Sequence, residues 1–158
     1  MPTYPKVEFS NLYPGLSFSE QKARQFFDHL FSLYPNQFNG ILSVVFLPED
    51  QHCEIHGKFL KDYRPTDVIT FPADEQEGHA GEILVSVDQA VIEASQRNLD
   101  LREEISLYLI HGWLHLVGFD DLDESERKII RIEERRAMDL TRKLNLWPDF
   151  LLACSSDQ

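Results

Sequence analysis

Two histidines and an aspartate in the second half of this chain have the types and the spacing of metal ligands. His111 and His115 are four residues apart in the segment His-Gly-Trp-Leu-His-Leu-Val-Gly-Phe-Asp-Asp, which ends at Asp121. On a helix, residues i and i+4 lie on one face with about 5–6 Å between their Cβ atoms, so both imidazoles can reach one ion at about 2.0–2.1 Å. Gly118 can adopt the left-handed conformation that ends a helix, and the turn after it can bring Asp121 back as a third ligand.

Three protein ligands that leave a fourth position open are typical of a catalytic zinc site, whereas structural zinc sites are closed by four. Zinc accepts carboxylate oxygen at about 2.0–2.2 Å, so Asp121 is a suitable third ligand. Asp120 is a competing candidate, because a shift of one residue after a glycine turn costs little. The alternative for this acidic segment is that Asp120, Asp121 and Asp123 only cap the following helix and favour its positive end.

The residue after the first histidine limits the chemistry of such a site. The same spacing of ligands occurs in the metzincin metalloproteases, which need a glutamate directly after the first histidine as general base. Here that position is Gly112. A glycine cannot take a proton from a water molecule, so the sequence argues against proteolysis by that mechanism.

The composition places the chain among ordinary globular proteins. Its 158 residues, 42% of them hydrophobic, suit one domain with a sizeable core, and we find no repeat or linker that would divide residues 1–158. The first 15 residues lack the apolar run of a signal peptide, and no segment is apolar enough to cross a membrane. Two cysteines, Cys53 and Cys154, are too few for a disulfide framework. These features predict a cytoplasmic protein with reduced thiols.

The net charge of −12 argues against a broad basic surface that would hold nucleic acid by itself. Any nucleic-acid partner would need a local basic patch, or an assembly that brings it close. On the helix predicted after the aspartates, basic and acidic residues alternate, which predicts a salt-bridged solvated surface first and an RNA or ribosome contact second.

Hydrophobic periodicity predicts the elements that position the ligands. Strands are predicted at residues 41–47, 53–56, 66–71 and 82–87. Helices are predicted at residues 17–33, with the capping-box spacing of Ser17 and Glu20, and then at 88–97, 101–117 and 123–144. We expect a polar, basic loop at 57–65, a surface loop at 73–81 and a loosely held tail at 148–158. Because strands precede helices without strict alternation, the fold class is predicted as α+β, with the metal site at the C-terminal end of a central helix.

Three motifs in the same order resemble those of a known family. The segment from His111 to Asp120 resembles the signature of the YbeY family of bacterial metal-dependent endoribonucleases. Upstream, Pro-Thr-Asp-Val-Ile-Thr-Phe-Pro at residues 65–72 is similar to the second block of that family, and Gly-Glu-Ile-Leu-Val-Ser at 81–86 is similar to its third. Three ordered motifs over roughly residues 55–121 are far more specific than one.

The resemblance implies a fold and a function. It implies an α+β domain whose helices pack around a small mixed β-sheet. It also implies a zinc-dependent endoribonuclease that acts in maturation of small-subunit ribosomal RNA and in ribosome quality control, with ribosomal RNA or the small ribosomal subunit as partner. In the family three histidines hold the zinc, and the first two match His111 and His115.

Two positions depart from the family pattern. The third histidine of the family falls at Asp121, whose negative charge should make the metal a weaker Lewis acid and broaden the choice of metal toward manganese or other divalent ions that favour oxygen. The arginine that many members carry before the second block falls at Leu60. Lys58, Lys61 or Arg64 could supply the phosphate-contacting cation instead, and we favour Arg64 because a guanidinium grips phosphate bidentately. The alternative is that these three cations belong to a solvated loop.

The sequence therefore predicts an endoribonuclease with His111, His115 and Asp121 as zinc ligands. Arg64 or a neighbouring lysine steadies the phosphate, and Asp120 is a candidate proton acceptor. If the 2′-hydroxyl of the RNA attacks, DNA is not expected to be a substrate. The two rival hypotheses are a small metalloprotease and a non-catalytic ribosome-assembly factor stabilised by a metal. The oligomeric state is left open.

Overall fold

A computed structural model of the chain describes residues 4–35, 39–62, 64 and 66–153. The strands and helices follow one another as β1 (Lys6–Asn11), β2 (Leu16–Ser17), α1 (Glu20–Leu33), β3 (Ile41–Leu47), α2 (Glu49–Leu60), β4 (Val68–Phe71), β5 (His79–Ser86), α3 (Val87–Arg97), α4 (Leu101–Leu116), α5 (Glu124–Leu144) and β6 (Leu151–Leu152).

Four of the strands form one mixed sheet in the order β1-β3-β5-β4. The strands β1, β3 and β5 run parallel, and β4 runs antiparallel to β5 with Val68 opposite Val85. The short strands β2 and β6 pair separately. The predicted α+β class and the small mixed sheet are therefore confirmed.

Alternating side chains give the sheet two buried faces. From β3, Leu42, Val44 and Phe46 enter the main core, where they meet residues of α1, α4 and α5. On the opposite face Leu47 and Leu84 form a smaller cluster with Ile69, packed against partly buried residues that include one from α2. The helix that carries the two histidines therefore lies on the main-core face.

Helix α4 is central to this core because it is apolar on nearly all sides, as expected of a buried helix. Tyr108, Leu109 and Trp113 are each at most 1% exposed. The indole Nε1 of Trp113 donates to the carbonyl of Tyr34 at 3.0 Å, which supplies the partner that a buried indole N–H needs. A capping box at Asp100 starts the helix. A rigid, buried helix thus carries His111 and His115.

The predicted strand at residues 53–56 is wrong, because Glu49–Leu60 forms helix α2. Glu49 and Asp50 lie in the first turn, where acidic side chains interact favourably with the helix dipole. The face that meets the sheet carries His52, which is buried and whose Nε2 lies 3.0 Å from the carbonyl oxygen of Leu84. The same helix extends through residues 57–60, so the predicted basic loop is shorter than expected.

Other boundaries also differ from the prediction. Strand β5 begins at His79 and ends at Ser86, so residues 79–81 are strand and not part of the predicted surface loop at 73–81. Helix α1 is capped by Ser19, whose hydroxyl accepts from the backbone N–H of Lys22 at 3.3 Å, and Ser17 instead lies in β2. The tail is packed through residue 153, since Phe150 is 2% exposed and β6 pairs with β2. Residues 154–158, which include Cys154, lie outside the described residues. Among those described, no helix is both long and apolar enough to span a membrane.

Candidate metal centre

Helix α4 ends at Leu116, and the chain turns at Gly118, the glycine that the sequence predicts to end the helix. The backbone N–H of Gly118 donates to the carbonyl of His115 at 3.1 Å, and that of Phe119 donates to Leu114 at 2.9 Å. This pair of bonds is a Schellman motif, which satisfies the last carbonyls of a helix. The φ angle of Gly118 is 112°, a conformation that L side chains rarely adopt. The chain therefore turns back beside the histidines immediately after the helix.

The turn brings Asp121 to the two histidines. The Nε2 atoms of His111 and His115 are 3.0 Å apart, and Oδ2 of Asp121 lies 3.8 Å from the first and 3.5 Å from the second. Ligands arranged tetrahedrally at about 2.0–2.1 Å from an ion lie about 3.3–3.4 Å from one another. These three residues form the one group in the described part of the chain that could hold a metal ion. Two imidazoles and one carboxylate are a donor set that zinc and other divalent transition metals accept.

The outer nitrogen of His111 faces a carboxylate from the neighbouring helix. Nδ1 of His111 lies 3.2 Å from Oε2 of Glu134 on α5. A carboxylate here accepts a hydrogen bond from Nδ1–H of His111. In that tautomer Nε2 carries a lone pair, which faces His115 and Asp121. Burial lowers the pKa of His111, but the hydrogen bond and charge of Glu134, with the negative charges of Asp67 and Asp121, together raise it above 6.5.

The three aspartates have different positions. Asp123 is the N-cap of α5 and forms a capping box with Glu126. Asp120 does not face the gap between the histidine Nε2 atoms; its Oδ1 lies 3.8 Å from Nδ1 of His115. The loop is held from α5 by Arg127, whose Nη1 donates to the carbonyl of Asp121 at 3.2 Å. Of these three aspartates, only Asp121 therefore approaches both Nε2 atoms.

Gly112 faces the sheet, not the candidate metal centre. A Cβ atom at this position would lie 3.0 Å from Cγ2 of Ile83 on β5. A second close approach occurs at Gly81, where a Cβ would lie 2.8 Å from Cδ1 of Leu116. The C-terminal half of α4 therefore packs directly on β5, and position 112 has no space for the glutamate that metzincin proteolysis requires.

The predicted phosphate-binding cations lie on or after α2. Arg64 donates to Asp62 through Nε at 2.9 Å and Nη2 at 2.7 Å, and its side chain is 86% exposed. Lys61 is the C-cap of α2, and Nζ of Lys58 lies 5.8 Å from the ring of Phe59. Within the described part of the chain, none of the three cations contacts the candidate ligands. Pro65 of the second motif lies outside the described residues.

Sequence reasoning missed the position of Glu134, which it grouped with charged residues of a solvated surface. The inward side of α5 carries Ile130, Ala137 and Thr141, all buried. Glu134 follows Ile130 by four residues and precedes Ala137 by three, so it lies on that inward side. A carboxylate within an otherwise buried stripe is the pattern that would have identified it.

Comparison with known proteins identifies a family for this chain. The family model described as "Endoribonuclease YbeY" matches residues 11–142. A protein of Protochlamydia amoebophila with that name is 38% identical over 110 residues, which are 67% of this chain and 73% of the relative. Its namesake from Acholeplasma laidlawii is 40% identical over 88 residues, or 55% of this chain and 64% of the relative.

A solution structure of a Thermotoga maritima protein has a similar fold. It superposes with a TM-score of 0.61 at 22% identity and covers 88% of this chain and 91% of its own. At that identity the likeness supports the fold alone. From the extent of the family match and the identity to the relatives, the chain belongs to the endoribonuclease YbeY family.

Proposed function

We propose that this chain is a metal-dependent endoribonuclease that cleaves precursor ribosomal RNA of the small subunit in the cytoplasm. The observation that carries the proposal is the convergence of His111 Nε2, His115 Nε2 and Asp121 Oδ2 on one gap, with separations of 3.0–3.8 Å. Family membership supplies the class of reaction, since the relatives are named endoribonucleases.

In this proposal His111, His115 and Asp121 hold zinc, or manganese because the third ligand is an oxygen. A divalent ion there would polarise a phosphoryl oxygen or lower the pKa of a water molecule. All three side chains are partly exposed, which leaves the site open to a substrate. An open coordination position is the difference between a catalytic site and a structural one.

The surrounding residues have separate roles. Glu134 orients His111 so that its Nε2 is the ligand atom. Asp120, beside Nδ1 of His115 and half exposed, is the candidate acceptor for the proton of the attacking hydroxyl. If that hydroxyl is the 2′-hydroxyl of the RNA, the backbone of DNA lacks the nucleophile and resists cleavage.

Arg64 stays our candidate for steadying the phosphate near the cleaved bond, with Lys58 and Lys61 as the neighbouring cations. Its bidentate pair with Asp62 must open first, since those N–H groups are the ones that would grip a phosphate. Because the Arg64 side chain is 86% exposed, water and salt screen its attraction to Asp62, so substrate phosphate can replace the Asp62 carboxylate.

The rival hypotheses make different predictions. A metalloprotease would need a general base at position 112, where a glycine packs against Ile83. A non-catalytic assembly factor would bind the metal and the small ribosomal subunit without cleaving RNA at stoichiometric concentrations.

The test is elemental analysis of the purified protein and of His115→Ala, both prepared without chelator, followed by cleavage assays. We expect about one transition metal per chain, lost in the variant together with cleavage of a precursor-rRNA fragment. A fragment with a single 2′-deoxy residue at the cleaved position should resist. Absence of metal after zinc addition would overturn the metal site, and metal without RNA cleavage would favour the assembly factor.

A further inference from the structure

Helix α5 has seven basic and five acidic residues, so its formal charge is positive in an acidic protein. It carries seven of the 15 lysines and arginines, although the chain as a whole has a net charge of −12. Three of them, Arg127, Arg131 and Arg135, repeat every four residues. Residues at this spacing lie on one helix face about 6 Å apart along the axis. We call these three residues the arginine row.

Like charges at i and i+4 destabilise a helix, and within the described ranges two of the three arginines have no acidic partner to compensate. Arg131 and Arg135 are exposed, and neither makes an ion pair in the part of the chain that the structure describes. The other arginines of α5 are paired, Arg136 with Glu133 and Arg142 with Glu103. Repulsion within the arginine row destabilises α5. Local conflicts of this kind are expected at functional sites, so the row indicates a binding role.

The arginine row begins at the loop that carries Asp121. Arg127, its first member, donates to the carbonyl of Asp121. Two contacts define how α5 lies against α4: Arg142 meets Glu103, and Glu134 meets His111. From the first contact to the second, the position moves eight residues back along α5 and eight residues forward along α4, as expected for antiparallel helices.

Three residues back from Glu134 along α5 and three residues forward from His111 along α4, Arg131 is level with Leu114. Leu114 lies between His111 and His115 along α4. Arg135 is level with Ile110, next to His111. The arginine row therefore extends from the loop that carries Asp121 past the level of both histidines, over about 12 Å.

We propose that the arginine row binds the sugar–phosphate backbone of the RNA substrate next to the cleaved bond. The guanidinium group is the side chain best suited to phosphate because it presents planar N–H donors. A spacing of about 6 Å gives a separate cation to each of several phosphates along a strand. A local patch of this kind is what an acidic protein needs to hold a polyanion.

The proposal rests on the endoribonuclease function proposed above, and it assigns substrate binding to residues outside the loop of Lys58, Lys61 and Arg64. Arg64 is engaged by Asp62, whereas the guanidinium groups of Arg131 and Arg135 have no acidic partner among the residues that the structure describes. The two assignments are compatible, since the loop cation could contact the cleaved phosphate while the arginine row holds its neighbours.

The test measures binding of a fluorescent single-stranded 2′-O-methyl RNA of about 20 nucleotides by Arg131→Gln, Arg135→Gln and the double variant. This probe lacks the free 2′-hydroxyl, so binding is measured without cleavage through that group. The matched control is Lys143→Gln, an exposed cation about 18 Å beyond Arg131 on another side of the same helix. Anisotropy at several salt concentrations gives both the Kd and its salt dependence.

We expect each arginine variant to raise the Kd about three- to tenfold, and the slope of log K against log salt to fall by about 0.7 per lost phosphate contact. Lys143→Gln should change neither. Because each substitution removes a like-charge pair, the arginine variants should melt at the wild-type temperature or slightly above it. A purely structural role would instead lower the melting temperature.

Equal losses in Lys143→Gln and the arginine variants would overturn the proposal, because net charge alone would explain them. Wild-type Kd and slope in the double variant, with cleavage of unmodified RNA by the wild type, would also overturn it while the nuclease function stands. If the wild type neither binds nor cleaves RNA, the nuclease function fails, and an acidic protein becomes the partner to seek. If RNA binding depends on the arginine row but the wild type does not cleave RNA, the arginine-row proposal stands and the nuclease function fails.

Discussion

Nδ1 of His111 lies 3.2 Å from Oε2 of Glu134, although the two residues are 23 positions apart and belong to different helices. The contact ties α5 to the one turn of α4 that carries both histidines. Metal-ligating histidines commonly donate their second N–H to such a carboxylate, which sets the tautomer and the orientation of the ring. The long helix after the aspartates is thus part of the candidate metal centre as well as of the core.

The first prediction concerns this positioning residue. Glu134→Ala should lower zinc affinity about 10- to 100-fold, the usual effect of removing an outer partner of a ligand. Glu134→Gln should retain more affinity because its amide oxygen still accepts the Nδ1 proton. Competition with a chromophoric chelator measures both. Asp139→Asn, which removes an exposed carboxylate from the same helix, is the control and should match the wild type.

The second prediction identifies the third ligand. Asp121→His should shift metal preference from manganese toward zinc, since imidazole suits zinc and carboxylate suits manganese. We expect the ratio of the two affinities to change by about tenfold or more. The companion variant Asp120→His should leave that ratio unchanged, because Asp120 faces Nδ1 of His115 and not the gap between the Nε2 atoms. The opposite pattern would make Asp120 the ligand.

The parts of the fold that could be predicted are those with strong local signals. Helix α5 was expected to start at Asp123, and its capping box with Glu126 is present. Helix α4 ends one residue earlier than predicted, because Gly118 forms the expected turn. The grouping of His111, His115 and Asp121 followed from the same local geometry, since a helix and one tight turn bring them together.

Other parts depend on distant contacts and could not be predicted. The segment Cys-Glu-Ile-His at residues 53–56 alternates apolar and polar side chains, so a short window favours a strand. In the structure this segment is helical, and the buried residues of α2 are His52 and Gly57, which carry no hydrophobic periodicity. Strand β1 was missed because only Val7 is buried in it. The buried stripe of α5 indicates that Glu134 faces inward, but its contact with His111 depends on the pairing of two helices, which the stripe alone does not specify.

A third prediction tests the packing of α4 on the sheet. Gly112→Ala should destabilise the protein by roughly 1–3 kcal/mol, the usual range for overpacking, because the new Cβ would lie 3.0 Å from Ile83 Cγ2. An alanine in a helix otherwise gains about 1 kcal/mol over glycine. In an Ile83→Ala background the same substitution should therefore become stabilising. Urea denaturation of the four proteins measures this coupling, and additive effects would show that the contact relaxes freely.

A fourth prediction concerns pH and the buried carboxyl of Glu104. Its side chain is fully buried, with Oε1 2.6 Å from Nη1 of Arg97, and among the described residues Oε2 has no partner that meets hydrogen-bond geometry. Burial raises its pKa above the usual 4.5; Arg97 opposes this, while the charges of Glu93 and Asp67 add to it. The folded state therefore binds the proton more tightly than the unfolded state, so this group's contribution to stability is present below pH 4.5 and is lost as pH rises through the folded pKa.

Glu104→Gln cannot ionise and leaves Arg97 paired with Glu93. It should match the wild type near pH 4 and have the higher unfolding free energy at pH 8, by about 1.4 kcal/mol for each unit by which folding raises the pKa of Glu104. Chemical denaturation across this range measures the difference, and a constant offset at all pH values would contradict the raised pKa.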